Sequence, residues 1–228
     1  MNKEDHERAK KFKAVKIRFV PGIGIDTGRF HALGDNRETK RDELGINKTD
    51  FVLLSVGELI PRKNHEIVLK SIYKLKESKE YSRIQYLICG QGSMEKNLKS
   101  LAKELDICDH VHFLGYRNDI PEICNCSDLF VFMSVHEGLP VALMEAMASG
   151  LPIICSDIRG NIDLVENRIN GIVIGFDENI LANEIISMMK SSKKRNEFGE
   201  EAKKAVQKYA FSEVLVIMKK IYNDEVNT

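Results

Sequence analysis

Two glutamates eight residues apart, Glu137 and Glu145, stand inside HEGLPVALMEAMASGLPIICSD, and their surroundings make them the first candidates for chemistry. Glu145 is the carboxylate in Val141–Ala148, a run that is otherwise apolar. A helix of that composition is expected to be buried nearly all round. A carboxylate carried into such a place costs several kcal/mol, or titrates to neutral, unless a polar group meets it. Glu137 falls in the loop before this helix, where the backbone N–H groups of Gly138, Leu139 and Val141 are expected to point toward a ligand. Pro140 has no N–H to offer and suits a first helical position. A second polar segment, VGELIPRKNHE, sets Arg62 and Lys63 beyond a turn at Gly57. Carboxylates suit hydroxyls, whereas cations and helix amides suit a diphosphate. Together they have the composition that a sugar nucleotide asks for.

Apolar runs on either side of these groups read as the elements that position them. Leu129–Met133 and Ile153–Cys155 are strands flanking the Val141–Ala148 helix. From Phe51 the chain alternates in the same way. FVLLSVG precedes an amphipathic helix over 65–78, IQYLICG one over 94–105, and HVHFLGY a short helix over 121–126. Beyond the central unit come a short helix near Asn161, the turn Asn170-Gly171, the strand IVIGF, and helices over 178–191, 193–208 and 212–223. Strands separated by helices pair in parallel with right-handed crossovers. The fold class is therefore α/β, a doubly wound parallel sheet of about six strands, whose ligands bind beyond the carboxyl ends of the strands. Upstream, residues 1–13 read as a charged helix or frayed tail. VKIRFVPGIGIDTGRF reads as a short strand running into a loop, followed by a polar stretch through Asp50.

The remaining motifs are weaker. CGQGSMEKNL places Gly90 and Gly92 ahead of Ser93, an expected helix N-cap. Glu95 occupies the place of the third glycine of a dinucleotide fingerprint, so a tight turn is the better reading. Of the histidines, His136 adjoins Glu137 and is a candidate contact to sugar or acceptor, while His65, His110 and His112 read as capping or packing residues. No His, Asp and Cys arrangement has metal-ligand spacing, and Asp-x-Asp does not occur, so no metal is expected. Five cysteines, an odd count, suit reduced thiols packed as small hydrophobes.

Length and charge bound the rest. With 228 residues, one large domain is the default. Thirty-four basic residues balance 34 acidic ones, so no net field favours nucleic acid or an anionic membrane as partner. No run approaches the roughly 18 apolar residues of a membrane span, and MNKEDHERAKKF is too charged for a secretory signal, which predicts a cytoplasmic protein.

The Glu, seven residues, Glu pattern with EAMASGLPII around it resembles the donor-site signature of a large family of retaining glycosyltransferases of GT-B fold. That family, glycosyl transferases group 1, includes glycogen- and sucrose-synthase-like enzymes. The resemblance covers roughly residues 14–222 and implies a single C-terminal half of the GT-B fold. On that basis residues 1–20 are a remnant of the preceding domain, 21–210 the nucleotide-sugar-binding domain, and 211–228 a helix crossing to the preceding domain. An independent N-terminal strand and arm remains the alternative for the first segment.

The same resemblance implies the roles. Glu137 and Lys63 would be catalytic, and Gly57, Arg62, Lys63, Leu114, Arg117, Gly138, Leu139, Val141 and Glu145 would bind the donor. Leu114 to Arg117 would lie beside the nucleotide base, and Glu145 at the ribose. The family shows Gly-Arg, four residues, Lys; this chain has Gly57-Glu58, four residues, Lys63, with Arg62 as a possible substitute for the arginine. No cofactor is implied. The donor would be a nucleoside diphosphate sugar, a UDP-sugar first, and the acceptor a glycan or a lipid-linked sugar in polysaccharide assembly. Peripheral membrane contact would come only through the preceding domain. Apolar positions of the last helix (Val214, Leu215, Ile217, Met218, Ile221) would be partly exposed and open to self-association. Two other functions stand beside this one: a nucleotide-sugar-binding module or partner subunit, and a sugar-nucleotide epimerase.

Overall fold

A computed structural model describes residues 3–14, 16–31 and 36–226. In chain order the elements are α1 (Lys3–Ala9), α2 (Thr27–His31), α3 (Arg37–Glu43), β1 (Phe51–Val56), α4 (His65–Lys74), β2 (Ile84–Cys89), α5 (Glu95–Glu104) and β3 (Val111–Gly115). Then follow α6 (Ile120–Cys126), β4 (Leu129–Phe132), α7 (Val141–Ala148), β5 (Ile153–Ser156), α8 (Arg159–Ile162), β6 (Ile172–Ile174), α9 (Glu178–Lys190), α10 (Ser192–Val206) and α11 (Phe211–Val226).

All six strands pair in parallel in the order β3-β2-β1-β4-β5-β6. The central strands β1, β4 and β5 are near-continuous apolar runs because helices cover both faces, whereas the edge strand β3 (VHFLG) is mostly half-buried. Successive residues serve opposite faces: Phe51 and Leu53 join the core with α4, α5 and α9, while Val52 and Leu54 join the core with α6, α7 and α10. Chain order reverses between β1 and β4, which puts the switch point of the sheet between the loops that follow those two strands.

Four expectations are corrected upstream and at helix starts. Val15, where a short strand was expected, lies outside the described residues, and residues 16–24 are irregular. Their place in a sheet is taken by one bridge, Ile25 to Ala210. The end of the expected loop is helical, as α2, and so is part of the polar stretch before Asp50, as α3, because α3 turns Arg37 and Arg41 toward Asp128 at 2.6 and 2.7 Å. Ser93 does not cap α5; the Met94 N–H donates to the Leu59 carbonyl at 2.8 Å, so the helix start is tied to the neighbouring loop. Pro140 is the N-cap of α7 with ψ 116°, extended, rather than its first helical residue. Its carbonyl accepts the Met144 N–H at 3.2 Å.

The last helix is apolar on more than one side. Val214 is buried, against expectation, while Leu215, Val216 and Tyr222 are exposed. Among the described residues no helix is long and apolar enough to cross a membrane.

Candidate functional site

The loop after β1 ends in a 3-10 turn, Pro61–Lys63, and Asn64 in left-handed conformation (φ 53°) turns the chain sharply into α4. The turn presents Arg62 and Lys63 at the switch point. Opposite, the loop after β4 presents Glu137, whose side chain is buried. Lys63 Nζ donates to Glu137 Oε1 at 2.7 Å, and Arg62 Nη1 stands 3.0 Å from the same oxygen. The two loops are also sewn together through the backbone. Val135 N–H donates to the Arg62 carbonyl at 2.9 Å, and Arg62 Nη1 donates to the His136 carbonyl at 2.9 Å.

Two neighbours fix the lysine. Its ammonium lies 4.9 Å over the Phe132 ring, a cation–π contact, and its stem packs on Gly57, where a Cβ would come within 3.3 Å of Cε. The Glu137 loop rests on α8 in the same way. A Cβ at Gly160 would stand 2.7 Å from the Gly138 carbonyl oxygen and 2.9 Å from Glu137 Cβ. Phe132 and Gly160 were not singled out in the sequence. Only the first had a signal, an aromatic at the strand end that feeds the Glu137 loop.

Glu145 differs from expectation. Its helix is not buried all round: Leu143, Met144, Ala146, Met147 and Ala148 face the core, but Ala142 and Glu145 are half-buried and Val141 is exposed. Burial raises the Glu145 carboxyl above its ordinary range, and the positive charge of Arg29 opposes the shift. Arg29 sits on α2, which packs against α7. Leu139 sends its side chain toward the core and toward Gly22.

A cleft of 430 Å³ opens beside the cation turn, lined by Gly57, Glu58, Gly90, Gln91, Tyr116, Arg117 and Ile120. Its walls are loops that approach closely. A Cβ at Gly90 (φ 144°) would fall 1.9 Å from the Gly57 carbonyl oxygen, so only glycine fits there. Glu58, in the place of the family arginine, is exposed on this cleft. Burial pushes the Cys89 thiol on the floor up to about 12, which leaves it protonated. Arg117 lines the cleft but is engaged, at 2.8 and 2.5 Å, with Asp119. That contact holds the Asp119 carboxyl well below the usual carboxylate range. Leu114 packs against the core and does not line the cleft. Among the described residues no cluster of three or more His, Cys, Asp or Glu can hold a metal ion.

Of the residues expected at the site, the structure thus brings together Gly57, Arg62, Lys63, Glu137 and Gly138, with Arg117 in the adjoining cleft. Glu145 and Val141 lie along the neighbouring helix, and Leu114, half-buried, packs against the core outside the cleft lining.

Fold and cluster define an α/β protein of the doubly wound class, with its charged groups gathered at the switch point of the sheet. The chain belongs to the family glycosyl transferases group 1, whose model matches residues 36–205. It is 28% identical over 227 residues to EpsD of Bacillus subtilis (strain 168), covering 98% of this chain and 59% of EpsD. It is 33% identical over 165 residues to the Escherichia coli UDP-Gal:alpha-D-GlcNAc-diphosphoundecaprenol alpha-1,3-galactosyltransferase, covering 72% of this chain and 42% of that enzyme. The crystal structure of Anabaena HepE in complex with UDP superposes with a TM-score of 0.79 at 23% identity, over 90% of this chain and 56% of that one. The fold thus matches GT-B glycosyltransferase structures. This chain spans roughly half the length of the relatives it matches.

Proposed function

We propose that this domain holds the donor in a glycosyl transfer, a nucleoside diphosphate sugar and first of all a UDP-sugar. The observation that carries the reading is the single carboxylate, Glu137, shared by Lys63 and Arg62 at the switch point beside an open cleft. A diphosphate entering there takes the two cations as partners, joined by amides at the start of α7. Glu137 is then free to accept hydroxyls of the transferred sugar. Glu145 accepts from the ribose, and the base lies in the cleft between Gly90 and Tyr116. Arg62 stands in for the arginine that Glu58 replaces.

As the sugar departs, negative charge grows on the leaving diphosphate, and preorganised cations stabilise it most at that moment. The transfer retains configuration, with attack on the face the diphosphate leaves. The acceptor is a glycan or a lipid-linked sugar, and the rest of the cleft comes from a domain of a longer transferase. The UDP bound to HepE, the UDP-glucose in a further HepE complex, and the UDP-Gal in the galactosyltransferase's name support the donor class.

Calorimetric titration with UDP, GDP and ADP tests it. One nucleotide should bind, and Lys63→Ala should weaken it by about 10- to 100-fold, the loss of one charged hydrogen bond. A folded chain that binds none of the three refutes the reading.

A further inference from the structure

A line of buried polar groups crosses the sheet beneath the site. Ser55 on β1 donates its hydroxyl to the Val131 carbonyl of β4 at 2.6 Å. Tyr86 on β2, fully buried, donates to Ser55 Oγ at 2.9 Å. His65, the first residue of α4, places Nδ1 3.2 Å from the Tyr86 hydroxyl. That phenol has one proton and gives it to Ser55, so Nδ1 must be the donor in this last contact. Every link then has a fixed direction, from His65 through Tyr86 and Ser55 to Val131.

The position of the line is what gives it meaning. It joins β4, β1 and β2 to the helix that begins two residues after Lys63, so it couples the strand that feeds the Glu137 loop to the turn that carries the cations. The His65 ring also lies against the Glu58 carbonyl within that loop, and burial lowers its pKa to about 4, which keeps it neutral. A half-open pocket of 100 Å³ lies beside the turn, lined by Ile60, Pro61, Asn64 and His65 among others. The neighbouring inward positions on these strands, Phe51, Leu53, Ile84 and Ile88, are apolar, and apolar groups at 55 and 86 would avoid the desolvation of two hydroxyls. A directional line in that place specifies position, which non-directional apolar packing does less sharply.

We propose that Tyr86 and His65 are positioning residues: their line to Val131 sets the cation turn against the β4 loop so that Lys63 and Arg62 meet a donor's diphosphate. The inference rests on the donor reading above. The test is calorimetric titration of the full chain with UDP and with UMP, which differ by one phosphate, together with a melting curve for each variant. Tyr86→Phe keeps the ring and removes the link, His65→Leu removes the donor, and His65→Asn keeps an amide donor near the place of Nδ1. The first two should bind UDP about fivefold more weakly, the worth of one net hydrogen bond, with UMP affinity unchanged. His65→Asn should recover most of the loss. Equal losses for UMP and UDP would mean that the line supports the fold in general, and no loss would mean that it positions nothing; either overturns the inference while the donor reading stands. Failure of the unmodified chain to bind any of UDP, GDP and ADP overturns both, and if GDP or ADP is the one bound the same comparison is made with that diphosphate and its monophosphate.

Discussion

Strand β4 carries a carboxylate just before it and another in the loop after it, and each faces two cations, yet the two clusters are built differently. Asp128, at the amino end, takes Arg37 at 2.6 Å on one oxygen and Arg41 at 2.7 Å on the other, and also accepts the Val52 N–H at 2.8 Å. Arg41 is 3% exposed and gives its remaining donors to the carbonyls of Cys126, Asn47, Lys48 and Asp50. Glu137, at the carboxyl end, receives both cations on one oxygen, and Arg62 remains 39% exposed beside the cleft. In the first cluster Arg37, though 35% exposed, also gives Nη1 to the carbonyls of Asn125 and Ser127, so a ligand there would compete with several protein acceptors at once. The second can exchange one carboxylate for a phosphate. Two cations on a carboxylate therefore do not mark a binding site; the commitment of their other donors decides.

The contrast breaks most visibly at the amino end. Arg41→Ala leaves Asp128 with Arg37 and the Val52 N–H alone and takes the donor from the carbonyls of Cys126, Asn47, Lys48 and Asp50, and should lower the unfolding free energy by about 3–5 kcal/mol, read as a reduced urea midpoint. Next comes Gly160→Ala, which drives a methyl into the Glu137 loop and should destabilise by about 1–3 kcal/mol of overpacking. Its melting temperature should fall and UDP binding should weaken with it; an unchanged loop would show that α8 yields instead.

Lys63→Ala should cost only about 1 kcal/mol in the same denaturation, because Arg62 still holds Glu137. A loss as large as that of Arg41→Ala would erase the distinction between the two ends. The smallest effect belongs to Glu145. Its carboxyl is raised above 4.5 by burial, so the folded chain holds that proton more tightly than the unfolded chain. The resulting stability is full below the ordinary value and is lost as pH rises through the raised one. Glu145→Gln should flatten the stability profile just above pH 4.5, and an unaltered profile would mean that Arg29 cancels the burial.

The sheet was legible because strands covered on both faces are continuous apolar runs, and FVLLSV, IQYLIC and LFVF cannot be mistaken for half-exposed strands. Helix α3 was not, since RETKRDE has no apolar stripe. Its helicity follows from Arg37 and Arg41, four residues apart and so on one face, both reaching Asp128 some ninety positions later in sequence. Glu137 and Lys63, by contrast, could be placed at the carboxyl edge of the sheet because each lies in a loop that follows a parallel strand. The Phe132 ring beneath the lysine and the Gly160 rest beneath the loop depend on side-chain approach across distant segments, which spacing does not encode. Glu145 was placed on the right helix but given too deep a burial, because an apolar sequence shows composition and not which side another helix covers.

The bridge at Ile25 has a mechanical side. Ile25 N–H donates to the Tyr209 carbonyl at 3.0 Å, and Phe211 N–H returns to the Ile25 carbonyl at 2.8 Å. The segment leading into α2 and the segment starting α11 are thus clipped to each other by two bonds. Tension applied to those two segments loads this clip first. The six-stranded sheet stays outside the line of force until the clip parts, so traction on the flanking segments reaches the clip before it reaches the register of β1 and β4.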